Sequence, residues 1–251
     1  MKDGALVTLA LIGIVAAALL ALVPLIGAAV AFDSGPAWLG WVLLGLTALL
    51  AYFVLIFSTV AIVLAASEVL DGRDATVGAA IAGAMRRVGP IAAWAVVGAA
   101  INLFFAIVRE RGGLAGSILA GVGSAAWSLV TFLAVPIIAF EGLGPLATLK
   151  RSTGLFRERW GEQLTGNISI NAIFVLLSIP AIGIAGLGVA VAGPLGIVLI
   201  VVGAIALATV LILGRAASAT FGAILYRYAA TGESVGPMDA DELAAVARAT
   251  G

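Results

Sequence analysis

Long apolar runs separated by short polar segments make up most of the chain. A helix needs about 20 apolar residues to cross a bilayer, and six runs reach or approach that length. They occupy residues 5–32, 37–67, 91–108, 114–140, 164–191 and 194–225. The pattern predicts an all-α polytopic membrane protein, a single transmembrane domain over residues 1–251 with a short polar tail at 232–251.

The first and last runs each leave an alternative open. The first could be a secretory signal, but it is longer than the apolar region of about 7–15 residues that such signals carry, so we expect an uncleaved span. The last run would form about 48 Å of helix at ~1.5 Å per residue, more than a bilayer needs. It either kinks near Gly203 or leaves the bilayer around Arg215 and continues along the interface, and we favour the interface.

Two polar connections carry the pattern of a helix with one apolar face. In 145–160, bulky or semi-polar side chains recur at spacings of three and four, and charged residues fall on the other side. The recurring side chains are Leu146, Leu149, Thr153, Phe156 and Trp160. The connection at 75–88 is a shorter version, with Asp74 as the expected N-cap. We predict two amphipathic elbow helices, at 75–88 and 145–160, lying along the lipid headgroups.

The two elbows also resemble each other. In each, an apolar run ends at a glutamate, Glu68 or Glu141, and a glycine, Gly72 or Gly144, follows before the elbow helix and the next run. This order indicates an internal duplication, although similarity this loose also arises by chance among helical membrane proteins.

Composition restricts the chemistry. Hydrophobic residues are 63% of the chain and charged residues 10%, against about a quarter charged in soluble domains. The 13 Lys and Arg balance the 13 Asp and Glu, so no overall basic field exists to bind nucleic acid. The absence of Cys and His removes thiolate and imidazole chemistry and the usual zinc ligands. We expect no catalytic residue, no cofactor and no metal.

Basic residues predict the orientation. If the N-terminus is cytoplasmic, ten Lys and Arg lie inside and only Arg109 and Arg111 lie outside, which follows the positive-inside rule. We therefore expect both termini in the cytoplasm and the protein in the plasma (inner) membrane.

One segment resembles a known family. The phrase FEGLGPLATLKRSTGLFRERWGEQLTGN and the closing FGAILYRYAATGE are similar to bacterial six-span membrane proteins of unknown function. These resemble the membrane domain attached to some glycerophosphodiester phosphodiesterases. The most specific part runs from Glu141 to Ser152, and the chain departs from the pattern before its first span. The resemblance implies a fold, with no catalytic residues to carry over.

A polar cluster is the first candidate site. Arg215 interrupts an apolar run, and charges within membranes often mark ion or substrate paths. Four further polar residues are predicted on the same cytoplasmic half: Glu68, Glu141, Asn167 and Asn171. Together they could bind an anionic headgroup. The alternative is an arginine that reaches toward water, with interhelical hydrogen bonds, and glutamates that cap their elbows.

Basic residues on the elbows form the second candidate site. Each basic residue near an anionic leaflet contributes about 1 kcal/mol of attraction. The predicted contacts are Arg86, Arg87, Lys150, Arg151, Arg157 and Arg159. They could equally serve only to fix the topology.

These features predict a non-catalytic scaffold or accessory subunit with lipid contacts at the inner leaflet. It would pair with itself or with another membrane protein. The alternative is a transporter or lipid-handling protein that uses a polar cleft around Arg215. An enzyme is disfavoured because the activating side chains are missing.

Overall fold

A computed structural model of the protein describes residues 4–160, 169–191 and 193–231. These residues form nine α-helices and no strand, as the predicted all-α class requires. The helices are α1 (Gly4–Ser34), α2 (Ala37–Leu70), α3 (Val77–Met85), α4 (Val88–Arg111), α5 (Gly113–Thr131), α6 (Ala134–Glu141), α7 (Pro145–Trp160), α8 (Ser169–Ala190) and α9 (Pro194–Thr231).

Four of the described helices are long and apolar enough to cross a membrane. They are α1, α2, α4 and α9. Helix α8 contains a shorter apolar stretch, Leu176–Ala190. The number of six crossings and the cytoplasmic position of both termini stay predictions.

The predicted fourth span, 114–140, is not one helix. Helix α5 ends at Thr131 and α6 begins at Ala134, with a turn at residues 132–133. Pro136 explains the break, because proline lacks the N–H that would bond to the carbonyl four residues earlier and its ring clashes with that carbonyl.

The first elbow is shorter than the predicted 75–88. Thr76, rather than Asp74, is the N-cap of α3, and its Oγ1 accepts a hydrogen bond from the Ala79 N–H at 3.2 Å. Helix α4 begins before Pro90, because proline is tolerated in the first helical turn. The second elbow, α7, has the predicted bounds of 145–160.

Consecutive long helices form antiparallel hairpins that close through glycine. Gly13 of α1 lies directly on the Ser58 side chain of α2, and Gly116 of α5 lies on the Val108 carbonyl of α4. A methyl group on Gly203 of α9 would lie 2.6 Å from the Ala185 backbone nitrogen of α8. Small residues thus let backbones approach closely. Helix α9 is continuous through Gly203, and this glycine is a position of close packing against α8.

Helix α2 is the centre of the bundle and packs against α1, α3, α4, α6 and α9. Its buried residues Ile62, Val63 and Ala66 belong to a core that also includes Ile91 of α4 and Ile138 of α6. Helices α2 and α9 run parallel. Arg215 in the middle of α9 contacts Thr59 of α2, and Arg227 near the end of α9 contacts Asp71, just after α2.

Candidate functional site

A cavity of about 480 Å³ lies among α2, α8, α9 and the break between α5 and α6. Most of its wall is apolar, with the polar side chains of Thr59, Ser178, Arg215 and Ser218. The apolar lining comprises Val63, Phe132, Val135, Pro136, Phe174, Val210, Leu211, Gly214, Ala219 and Gly222. The break at residues 132–133 therefore contributes directly to this site.

Arg215 is held against α2. Its Nη2 donates to the Leu55 carbonyl oxygen at 2.7 Å and to Thr59 Oγ1 at 2.6 Å. Its Nε is buried and has no hydrogen-bond partner in the described part of the chain. The ion pairs among the described residues involve Arg73, Arg151 and Arg227 and leave Arg215 out. Its charge is therefore hydrogen-bonded but not balanced by a described carboxylate.

Glu141 joins α6, α7 and α9. Its Oε1 accepts hydrogen bonds from the Tyr226 hydroxyl at 2.7 Å and from Arg151 Nε at 3.0 Å. The Phe140 ring stacks on Tyr226 with centroids 5.0 Å apart. The glutamate was expected to cap its elbow through backbone bonds, and it binds side chains instead.

Asp71 joins the end of α2 to α9. Arg227 Nη1 donates to Asp71 Oδ1 at 2.6 Å, and Arg73 Nη2 donates to Asp71 Oδ2 at 2.8 Å. Arg73 Nε also pairs with Glu68 Oε2 at 2.6 Å. The hydrogen bond from Arg227 lowers the pKa of Asp71, and the hydrogen bond to Glu68 raises the pKa of Arg73.

The two acidic groups that α9 holds occupy equivalent places. Asp71 precedes Gly72, whose φ is 75°, and Glu141 precedes Gly142, whose φ is 65°. Each glycine follows the helix that leads to an elbow, where left-handed backbone favours glycine. Consecutive residues of α9, Arg227 and Tyr226, bind them, and we call these four side chains the acidic clamp. The sequence paired Glu68 with Glu141, whereas in the structure Asp71 corresponds to Glu141.

The predicted polar cluster is divided. Arg215 binds α2 in mid-helix, Glu68 binds Arg73, and Glu141 belongs to the acidic clamp. Asn167 lies outside the described residues, as does the Asn171 side chain. Arg215 precedes Tyr226 by eleven residues, or ~16 Å of helix, which separates the arginine from the clamp. No sequence signal singled out Thr59.

The predicted lipid-binding residues have different surroundings. Arg86 and Lys150 are exposed, whereas Arg151 is paired with Glu141. Arg87 packs beside Gly142, and its Nη2 lies 3.5 Å from the Phe140 carbonyl oxygen. Arg157 and Arg159 lie on α7, but their side chains are outside the described part.

Helix α7 has a buried face that differs from its apolar stripe. Thr148, Ser152 and Leu155 are buried, whereas Leu146 of the stripe is 77% exposed. The Ser152 hydroxyl donates to the Val130 carbonyl oxygen at 2.6 Å, in the last turn of α5. Carbonyls at a helix end need such partners. The elbow thus supports the α5–α6 break that borders the cavity.

Acidification should release the Asp71 half of the clamp. A lowered pKa means that the Asp71–Arg227 pair stabilises the protein above the unfolded-state pKa of about 3.9 and that this stabilisation is lost as pH falls through the folded-state pKa. We expect Asp71→Asn to speed amide hydrogen exchange in the last turn of α9 at pH 7. The difference between the variant and the parent should shrink as pH falls through the folded-state pKa of Asp71. Equal exchange at pH 7 would contradict this role for Asp71.

The fold and the site define an all-helical protein with membrane-length apolar helices and a cavity that contains an arginine. More particularly, the chain belongs to a family of unknown function, DUF6159, which matches residues 38–236. No curated protein and no solved structure matches the chain. The likeness to the membrane domain of glycerophosphodiester phosphodiesterases stays a prediction.

Proposed function

We propose that the protein is a plasma-membrane protein that handles lipids by binding an anionic amphiphile in the cavity around Arg215. In this proposal all six apolar runs cross the bilayer, and both elbows lie on the cytoplasmic side. The observation that carries it is an arginine, in a largely apolar cavity, that no carboxylate in the described part of the chain balances. A scaffold alone would not require that arrangement.

The size and the charge of the cavity both support a ligand. Small-molecule sites usually measure about 300–1,000 Å³ and combine apolar walls with a few polar groups, as this cavity does. A charge in a medium of low dielectric constant is costly unless it is paired. An acidic headgroup would supply the counter-charge that the described residues do not, while its tail would cover the apolar wall.

Removal of the arginine tests the proposal. We expect Arg215→Met to weaken binding of anionic amphiphiles by about 10- to 100-fold, because a hydrogen bond to a charged group contributes about 1.5–3 kcal/mol. Native mass spectrometry of protein released from lipid nanodiscs would measure retained lipid. The exposed Arg111 provides the matched control, and Arg111→Met should leave retention unchanged. Equal retention by both variants would contradict the proposal.

A scaffold or accessory subunit is the second candidate. Helix α5 supports it, because Leu114, Ile118 and Val122 are more than 60% exposed and Ser117 and Gly121 lie beside them. Such a surface fits lipid or another helix. A stable oligomer in nanodiscs, lost on Gly121→Leu with lipid retention intact, would favour this function.

A further inference from the structure

We infer that the ligand is a single-chain carboxylic acid and not a two-chain phospholipid. The inference rests on the proposed function and specifies its substrate class. Two observations support it: the depth of Arg215, which discriminates between acids, and the size of the cavity.

Arg215 lies far from either end of the bundle. It precedes Arg227 by twelve residues, and its partner Thr59 precedes Asp71, the partner of Arg227, by the same number. Each interval is ~18 Å of helix. On the other side, Trp41 precedes Thr59 by eighteen residues, or ~27 Å. We take the acidic clamp as the headgroup boundary, which leaves Trp41 beyond the opposite side of a hydrocarbon core about 30 Å thick. Arg215 is then near the middle of that core, and not at the point where the last run was expected to leave the bilayer.

This depth discriminates between acids. A phosphodiester stays ionised at physiological pH and therefore remains in the headgroup layer of a bilayer. A carboxyl group takes up a proton when it is desolvated, because burial disfavours its charged form. A carboxylic acid can therefore enter the hydrocarbon uncharged. When it binds Arg215 as the carboxylate, its proton passes to the aqueous phase, and the bound pair is neutral.

The cavity also has room for one chain. Its α9 wall extends ~8 Å from Arg215 to Val210 and ~11 Å from Arg215 to Gly222, so a chain held at Arg215 follows one of these two directions. Between Arg215 and the clamp the wall is mainly apolar, formed by Val63, Val135 and Pro136 among others. A volume of about 480 Å³ suits a short headgroup with one alkyl chain. Two acyl chains with a glycerophosphate headgroup need more space.

Three probes with the same chain length separate these possibilities. The full-length protein in phosphatidylcholine nanodiscs is titrated with palmitic acid, hexadecanol or dipalmitoyl phosphatidylglycerol, and empty nanodiscs correct for partitioning. We expect palmitic acid to bind at least about tenfold more tightly than hexadecanol, since only the acid forms charge-assisted hydrogen bonds with Arg215. Arg215→Met should bind the acid and the alcohol equally. Phosphatidylglycerol should not displace palmitic acid.

Each other result overturns a defined part of the argument. Displacement of palmitic acid by phosphatidylglycerol, dependent on Arg215, would overturn the substrate class but leave the proposed function standing. If no anionic probe depends on Arg215, both fall. Val135→Trp, which fills the cavity, should weaken the binding of palmitic acid and of hexadecanol alike. This variant provides the test if Arg215→Met does not fold. Unchanged binding in that variant would place the ligand elsewhere.

Discussion

Arg215→Glu is expected to destabilise the protein by about 3–5 kcal/mol, whereas Arg215→Met should change its stability by less than about 1 kcal/mol. Glutamate would place a carboxylate against the Leu55 carbonyl and an acceptor where an arginine donated. Methionine removes the charge together with its desolvation cost. The Leu55 carbonyl still accepts the Thr59 hydroxyl at 2.7 Å, so it is not left unpaired.

Unfolding in mixed micelles of lipid and SDS would measure both variants. Arg111 controls for charge reversal, because it is exposed and both Arg111→Glu and Arg111→Met should be near neutral. A protein that loses ligand binding but not stability on Arg215→Met uses this arginine for function. If Arg215→Met is as destabilising as Arg215→Glu, the arginine is structural and the proposed function loses its main support.

Gly203→Leu should destabilise the α8–α9 hairpin by about 3 kcal/mol or more. Even a methyl group at this position would lie 2.6 Å from the Ala185 nitrogen and 2.8 Å from the Ala181 carbonyl oxygen. Backbone atoms cannot move aside as a side chain can, so the helices must separate. Because both helices line the cavity, ligand retention should fall as well.

Gly183→Leu is the matched control for this prediction. Gly183 lies on α8, is exposed, and has no atom within 4 Å of the position where a Cβ would stand. Thermal melting in detergent, followed by the loss of the monodisperse peak in size-exclusion chromatography, would compare the two. Similar melting of both variants would show that α8 and α9 are not as close at Gly203 as the structure has them.

Much of the helical framework could be predicted from local sequence. The lengths of the apolar runs indicated α1, α2, α4 and α9, and the spacing of side chains gave the bounds of α7. The break after Thr131 was predictable only in part. A proline such as Pro136 disturbs a helix, but the turn lies upstream of it because the carbonyl that loses its partner comes four residues earlier.

The candidate site was less predictable. Sequence identified Arg215 because a charge in an apolar run is conspicuous, but its partners on α2 are about 156–160 residues away in the chain. It also placed Glu68 and Glu141 with Arg215, since all three were assigned to one half of the membrane. In the structure, ~16 Å of α9 separates Arg215 from Tyr226, which binds Glu141.

By itself, the sequence determined that this protein consists largely of apolar helices, where most of those helices lie, and that Arg215 interrupts an apolar run. These features depend on composition and on periodicity within a few turns. Tertiary structure alone decided which face of α7 is buried, which acids Tyr226 and Arg227 bind, and that a cavity adjoins Arg215. Those features depend on how separate helices are rotated and shifted against one another. A repeat of 3.6 residues states which side chains share a face but not which neighbour that face will meet.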